Sequence, residues 1–151
     1  MKILLDTANL ELIKRYNEIY KIAGVSTNPT ILSKENTDFF PLLKKIRTII
    51  EDKQLHVQVT GSVCEQMIKE AERIVSVLGN ETYIKVPANE EGIRTMKVLK
   101  NNGFRVTATA VYMPQQAMLS ASVGADYVAP YFNRISNLNI DGKTVIKDIS
   151  E

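Results

Sequence analysis

Thr82-Tyr83-Ile84-Lys85-Val86-Pro87 is the stretch on which the reading of this chain turns. A β-branched, apolar run closed by a proline reads as a strand, and this one carries a cation inside it. Central strands of a parallel sheet are covered on both faces and are apolar almost throughout. An ammonium placed there costs free energy unless it is paired, neutralised or open to a cavity. Burial also pushes a lysine pKa down, turning a solvated cation into an available amine nucleophile. The plainer alternative is a lysine at the ragged end of an edge strand, with its head in water.

On both sides of this segment, short apolar runs alternate with amphipathic stretches. The pattern predicts strands over residues 3–5, 22–25, 55–59, 82–86, 105–108 and 126–129. Helices are expected over 10–20, 39–50, 65–78, 91–100 and 114–123, with the first turns of another over 144–149. Leu10, Ile13, Tyr16 and Ile19 recur at helical spacing, and Asn101-Asn102-Gly103 is a helix stop. About six strand-then-helix units imply parallel strands joined by right-handed crossovers.

Two α/β architectures fit such a pattern, a doubly wound open sheet and a TIM (β/α)8 barrel. A length of 151 residues suits the open sheet. The placement of polar residues suits the barrel. Asp6, Ser26-Thr27-Asn28, Gln58, Lys85, Thr109 and Tyr131 all fall at or just beyond the C-terminal ends of strands. A barrel gathers its site from many strand ends, whereas a doubly wound sheet concentrates it at one switch point. No glycine-rich phosphate loop follows the first strand, which counts against a dinucleotide fold. The expected fold is therefore a single (β/α) barrel domain over residues 1–151, truncated to about six units. A complete barrel takes at least about 200 residues, so its last two units are expected to be missing. The open edges of such a sheet invite pairing.

Composition excludes several classes. Hydrophobic residues make up 44% and charged residues 24%, with a net charge of +2 and both signs interspersed. That gives no electrostatic case for nucleic acid or a membrane surface. No apolar run approaches a membrane span. Asp6 stands where a signal peptide is still apolar, and the lone Cys64 cannot form an internal disulfide, so a cytoplasmic protein is expected. One histidine and one cysteine do not make a His/Cys metal site. His56, inside Leu55-His56-Val57-Gln58-Val59, reads as a strand residue with a structural hydrogen bond.

If the strand ends converge, Lys85 attacks a substrate carbonyl to form a Schiff base, whose protonated imine serves as an electron sink. Such chemistry also needs an acid/base, and Asp6 is the only carboxylate at a strand end in the first five units. Its alternative role is to cap the first helix. Ser26-Thr27-Asn28-Pro29-Thr30 is either a polar turn or a set of partners for sugar hydroxyls. Gln58 needs hydrogen-bond partners if buried. Tyr131 is a core aromatic with its hydroxyl at the rim, or a site residue; Arg134 is a surface cation, or a guanidinium placed for phosphate. Met67, Met113 and Met118 read as helix packing. Tyr112 faces either core or pocket.

These residues carry a resemblance. Leu5-Asp6-Thr7-Ala8-Asn9, Gly24-Val25-Ser26-Thr27-Asn28-Pro29-Thr30, Ile84-Lys85-Val86-Pro87, Thr109-Ala110-Val111-Tyr112 and Gly124-Ala125-Asp126-Tyr127-Val128-Ala129-Pro130-Tyr131 occur in order at strand ends. Together the stretches resemble the class I aldolases of the transaldolase family, in particular the fructose-6-phosphate aldolase-like subfamily. The resemblance implies a barrel in which Lys85 is the Schiff-base lysine and Asp6 handles the proton of the substrate hydroxyl. Ser26, Thr27 and Asn28 hold the donor, and Arg134 binds the acceptor's phosphate. Where transaldolases tend to carry glutamate and phenylalanine, this chain resembles the aldolases with Gln58 and Tyr131. These two, with Thr109, are implied to orient a water that protonates the enamine.

The activity implied by the resemblance is that of a lyase making and cleaving fructose 6-phosphate without metal or organic cofactor. The partner is a small sugar phosphate, not nucleic acid or membrane. Family members assemble into rings through C-terminal helices absent from these residues, so a homo-oligomer is implied. Ser26 departs from the family's more usual threonine, and a serine-bearing loop near the phosphate falls in the missing units. Transaldolase is the alternative within enzymes. A non-catalytic truncated barrel, binding phosphosugars or serving in assembly, is the alternative outside them.

Overall fold

The computed structural model describes residues 1–151. In chain order the elements are β1 (Leu4–Asp6), α1 (Leu10–Ile19), β2 (Gly24–Ser26), α2 (Pro29–Ser33), α3 (Phe39–Ile50), β3 (Gln54–Gln58) and α4 (Cys64–Leu78). They continue with β4 (Tyr83–Pro87), α5 (Glu90–Asn101), β5 (Arg105–Val111), α6 (Pro114–Ser122), β6 (Tyr127–Pro130), α7 (Phe132–Asn137) and α8 (Gly142–Ser150). The six strands form one sheet in the order β1-β2-β3-β4-β5-β6. That order never reverses, so the sheet has no topological switch point and is not doubly wound. Six strand–helix units in unbroken sequence order are those of the (β/α)-barrel class, truncated as expected.

The chain divides into two compact units. Met1–Thr60 with Glu70–Ile84 forms the first, and Gly61–Lys69 with Lys85–Glu151 the second. In the first, β1 pairs β2 and β2 pairs β3, both parallel, with Asp6 opposite Ser26 and Ser26 opposite His56. Gly24 is required here: a Cβ on it would lie 2.0 Å from the Gln54 carbonyl oxygen. Ile13 of α1 and Leu42, Leu43, Ile46 and Ile50 of α3 are fully buried, as are Val25 and Leu55 of the strands. Each such side chain contributes about 1.5–3 kcal/mol by leaving water. Asn17 Nδ2 donates to the Ile49 carbonyl at 3.1 Å and ties α1 to α3.

In the second unit, β5 pairs β6 in parallel, and the core is built from Met96, Leu99, Val106, Ala108, Val111 and Ile135. Asn89 caps α5 by accepting from the Gly92 N–H at 2.8 Å, and Glu90 and Glu91 favour its positive N-terminus. Asn101 is the last residue of α5, and Gly103 takes up a positive φ of 79°, the predicted stop. Met67 is buried as expected, but Met113 and Met118 are more than half exposed. The correction has a simple cause: α6 buries only Ala117 and Ser120, which leaves Met118 exposed on the helix, and Met113 is the N-cap that precedes its first turn. No helix is long and apolar enough to cross a membrane.

Candidate active site

In the first unit the predicted residues sit at the ends of β1, β2 and β3. Asp6 closes β1 and is exposed. It does not cap α1; Asn9 does, with its Oδ1 accepting from the Leu12 N–H at 3.0 Å. The carboxylate is thus not spent on the helix. Ser26 ends β2 and is half-buried. Thr27 is fully buried, and both its N–H and its hydroxyl donate to the His56 carbonyl at 3.0 Å. Its hydroxyl therefore fastens the end of β2 to β3. Asn28 caps the five-residue α2, accepting from the Ile31 N–H at 2.9 Å, which leaves its amide nitrogen as a donor.

Gln58 ends β3, and its Oε1 is buried with no hydrogen-bond partner in the protein. A buried acceptor left alone costs about 1–3 kcal/mol, and such groups cluster at functional positions. A cavity of about 390 Å³ opens beside it, bordered by Pro29, Leu32, Phe40, Thr60 and Arg73 among others. Two residues earlier, His56 is buried, stacks flat on Tyr83 with centroids 4.5 Å apart, and meets Gln54 Oε1 at 3.3 Å. A ring held on both sides in this way is structural, as its strand position predicts.

In the second unit, Lys85 is only 4% exposed, and its chain neighbours Ile84 and Val86 are fully buried. The edge-strand alternative fails on that observation, since the head group is not in water. Pro87 ends β4, and a Cβ on Gly92 of α5 would come within 1.7 Å of its carbonyl oxygen. Only glycine lets the helix start so close to the lysine's strand. The Ala88 N–H donates to the Thr109 carbonyl at 2.8 Å and joins the ends of β4 and β5.

Thr109 is fully buried, and its hydroxyl meets the Tyr131 hydroxyl at 3.4 Å, a long contact. Tyr131 is half-buried, and its N–H donates to the Val111 carbonyl at 3.0 Å. The guanidinium carbon of Arg134 lies 4.5 Å from the centre of the Tyr131 ring. Arg134 is exposed, and its pKa is raised above the ordinary value, chiefly by the Tyr112 phenol, against desolvation and with further help from Tyr131. The geometry brings Thr109, Tyr131 and Arg134 into one contiguous set.

Two participants escape sequence reasoning. Tyr112, left open between core and pocket, is half-buried with its ring edge-on to Tyr131 at 5.6 Å. Gln116 accepts from the Tyr112 N–H at 2.8 Å and donates to the Ala88 carbonyl at 2.8 Å, clamping the ends of β4 and β5. The only signal for Gln116 is its place two residues after Pro114, at the third position of a helix. No group of three or more histidine, cysteine, aspartate or glutamate side chains gathers in the chain.

Fold and side chains together define an α/β chain of the (β/α)-barrel class with a buried lysine on its fourth strand. Comparison with known proteins narrows this. Residues 3–151 match the family described as transaldolase/fructose-6-phosphate aldolase, and the chain belongs to it. A Streptococcus pneumoniae protein described as a probable fructose-6-phosphate aldolase is 43% identical over 152 residues, which is 99% of this chain and 68% of that protein. Probable transaldolases of Clostridium botulinum (40%) and Methanococcus maripaludis (35%) match all of this chain and 70% and 69% of their own lengths. Among solved structures, KGPDC from Streptococcus mutans aligns with a TM-score of 0.58 at 18% identity, covering 98% of this chain and 73% of that one. An enolase from a Sargasso Sea environmental genome aligns with 0.56, also at 18%, covering 93% and 43%. These two likenesses speak for the fold alone.

Proposed function

We propose that the chain is a Schiff-base aldolase that forms and cleaves fructose 6-phosphate, with residues 1–151 working as one barrel domain. The burial of Lys85 carries this reading, because a desolvated amine is the nucleophile such chemistry requires. Lys85 adds to the substrate ketone, and water leaves as the imine forms. Asp6 takes the proton of the hydroxyl next to the bond that breaks. The electron pair of that bond moves into the enamine, and glyceraldehyde 3-phosphate departs. A water oriented by Gln58, Thr109 and the Tyr131 hydroxyl protonates the enamine, and hydrolysis of the imine frees dihydroxyacetone. Ser26, Thr27 and Asn28 hold the donor end and Arg134 the phosphate. Thr27 contributes chiefly by fixing the strand end, given the bond its hydroxyl makes to His56.

Gln58 supports the aldolase form of the reaction, since its buried Oε1 has no protein partner. Transfer of the dihydroxyacetone unit to a second sugar phosphate is the competing reading, favoured by the relatives described as probable transaldolases.

Incubation with dihydroxyacetone and sodium borohydride tests the chemistry. The expected result is a reduced adduct mapped by mass spectrometry to Lys85 and absent from Lys85→Met; folded protein without an adduct overturns the proposal. Release of free dihydroxyacetone from fructose 6-phosphate with no acceptor sugar supports the aldolase, and turnover only when an acceptor is present supports transfer.

A further inference from the structure

We propose that the cavity of the first unit, beside the end of β3, is a binding site for a small amphipathic carboxylate. The apolar body of the ligand lies against Leu32, Phe40 and Ile74, and its carboxylate meets the Arg73 guanidinium.

The cavity measures about 390 Å³, the size of a small-molecule site, and every residue bordering it belongs to the first unit. Three helices supply its apolar walls. Leu32 comes from α2, Phe39 and Phe40 from α3, and Ile74 from α4. Leu32 and Ile74 are buried, and Phe39 stands edge-on to Phe40, with centroids 4.9 Å apart and planes at 83°. The Phe40 ring is braced on that side and meets a cation as well: the Arg73 guanidinium carbon lies over it, 5.0 Å from the ring centre.

Most polar groups at the cavity are already engaged. The Ser33 hydroxyl donates to the Thr30 carbonyl at 3.0 Å, and that of Thr37 to the Glu35 carbonyl at 2.9 Å. Glu70 Oε2 accepts the Thr60 N–H at 2.6 Å, and both Glu70 oxygens lie 3.4 Å from the Thr60 hydroxyl. Gln58 Oε1 has no partner, but it is buried away from solvent and offers an incoming ligand nothing. A sugar, each of whose hydroxyls needs a partner once buried, is poorly served here.

Arg73 is the exception. It is exposed, and its guanidinium forms no hydrogen bond or ion pair within the chain. The Phe40 ring restrains this cation without neutralising it. Its five N–H donors stay open, and a carboxylate can accept two of them in parallel. A free guanidinium fork beside an apolar hollow is matched by a ligand with hydrocarbon at one end and a planar anion at the other.

The test is a titration of the full chain with 3-phenylpropionate at low ionic strength, followed by nuclear magnetic resonance. The expected result is saturable shifts of the Leu32 and Ile74 methyl signals, with a Kd of about 1 mM or tighter. Arg73→Gln should weaken binding roughly five- to tenfold. The same variant should bind 3-phenylpropanamide, the uncharged counterpart, within twofold of the parent. Arg73→Lys keeps the charge without the fork and should fall between. Thermal melts confirm that each variant is folded. Absence of shifts at Leu32 and Ile74 overturns the site. Equal binding of 3-phenylpropionate by the parent and Arg73→Gln overturns the role of the arginine, and parent-like binding by Arg73→Lys overturns the fork. Fructose 6-phosphate shifting the same methyl signals at lower concentration than 3-phenylpropionate overturns the ligand class.

Discussion

Gly92→Ala probes the junction that holds the lysine's strand. Gly92 is the third residue of α5, and an added Cβ would sit 1.7 Å from the Pro87 carbonyl oxygen and 2.9 Å from its carbon. Ordinary contact begins near 3.4 Å, so helix start and strand end must separate by roughly 1.7 Å. Both obstructing atoms belong to the backbone, which no rotamer change can move aside. Helix propensity alone favours alanine by about 1 kcal/mol. Overpacking costs about 1–3 kcal/mol, and more where backbone must shift. The clash outweighs the propensity, and a net loss of about 2 kcal/mol is expected. Pro87 follows Lys85 by two residues on the same strand, so the displacement reaches the amine as well. Urea denaturation should show a lower midpoint at unchanged m-value, together with a reduced yield of the borohydride adduct at Lys85. A Gly92→Ala protein as stable as the parent would refute the packing argument, because propensity would then have won.

Three further outcomes are expected. Ala110→Val places a β-branched residue at a φ of 53° and should cost about 2 kcal/mol in a denaturation experiment, whereas Ala110→Gly should stay within about 1 kcal/mol of the parent. Gln58→Leu removes a buried acceptor that has no protein partner, so stability should rise by about 1 kcal/mol while free dihydroxyacetone release falls; a loss of stability would show that the amide is structurally satisfied. Asp141 caps α8, and the Thr144 hydroxyl, then the Thr144 and Lys143 N–H groups, hold its pKa below the ordinary value. A depressed folded pKa means the contribution is present above the unfolded value and is lost as pH falls through the folded one. Asp141→Ala should therefore melt lower than the parent at pH 7, with the two melts converging as pH falls through the depressed folded pKa.

What was legible in the chain followed how long each pattern ran. The helix over Phe39–Ile50 is where periodicity puts it, because Leu42, Leu43, Ile46 and Ile50 all bury on one side. α2 and α7 were not visible, being five and six residues long and too short to show a helical period. Asn28-Pro29 illustrates the difficulty. The dipeptide signals a turn, but cap and first-turn proline are also how a helix begins, and here the second meaning holds. The choice between barrel and open sheet was legible for a different reason: polar residues at several strand ends need a topology that brings many ends into use, and strand order bears that out. At Asp6, residue type alone left cap and catalyst equal. Asn9, three residues on, removes the first possibility.

Lys85 and Ala110 show why one part of the site was readable and another was not. Both break a local rule of the strand that holds them. The lysine breaks it by its chemical type, since a cation in an apolar run is inconsistent wherever the chain goes, and burial at 4% exposure confirms the conflict. The alanine breaks it by a dihedral angle, which its residue type does not announce; a glycine in its place would have signalled a bulge. Everything beyond such a hidden bulge is read with the wrong parity. Thr109, before it, could be placed by alternation and strand position. Tyr112, after it, could not, because its face depends on a residue that only the pairing of β5 with β6 shows to be extra. The place of Tyr112 beside Tyr131 was therefore missed for a geometric reason, although its residue type was in plain view.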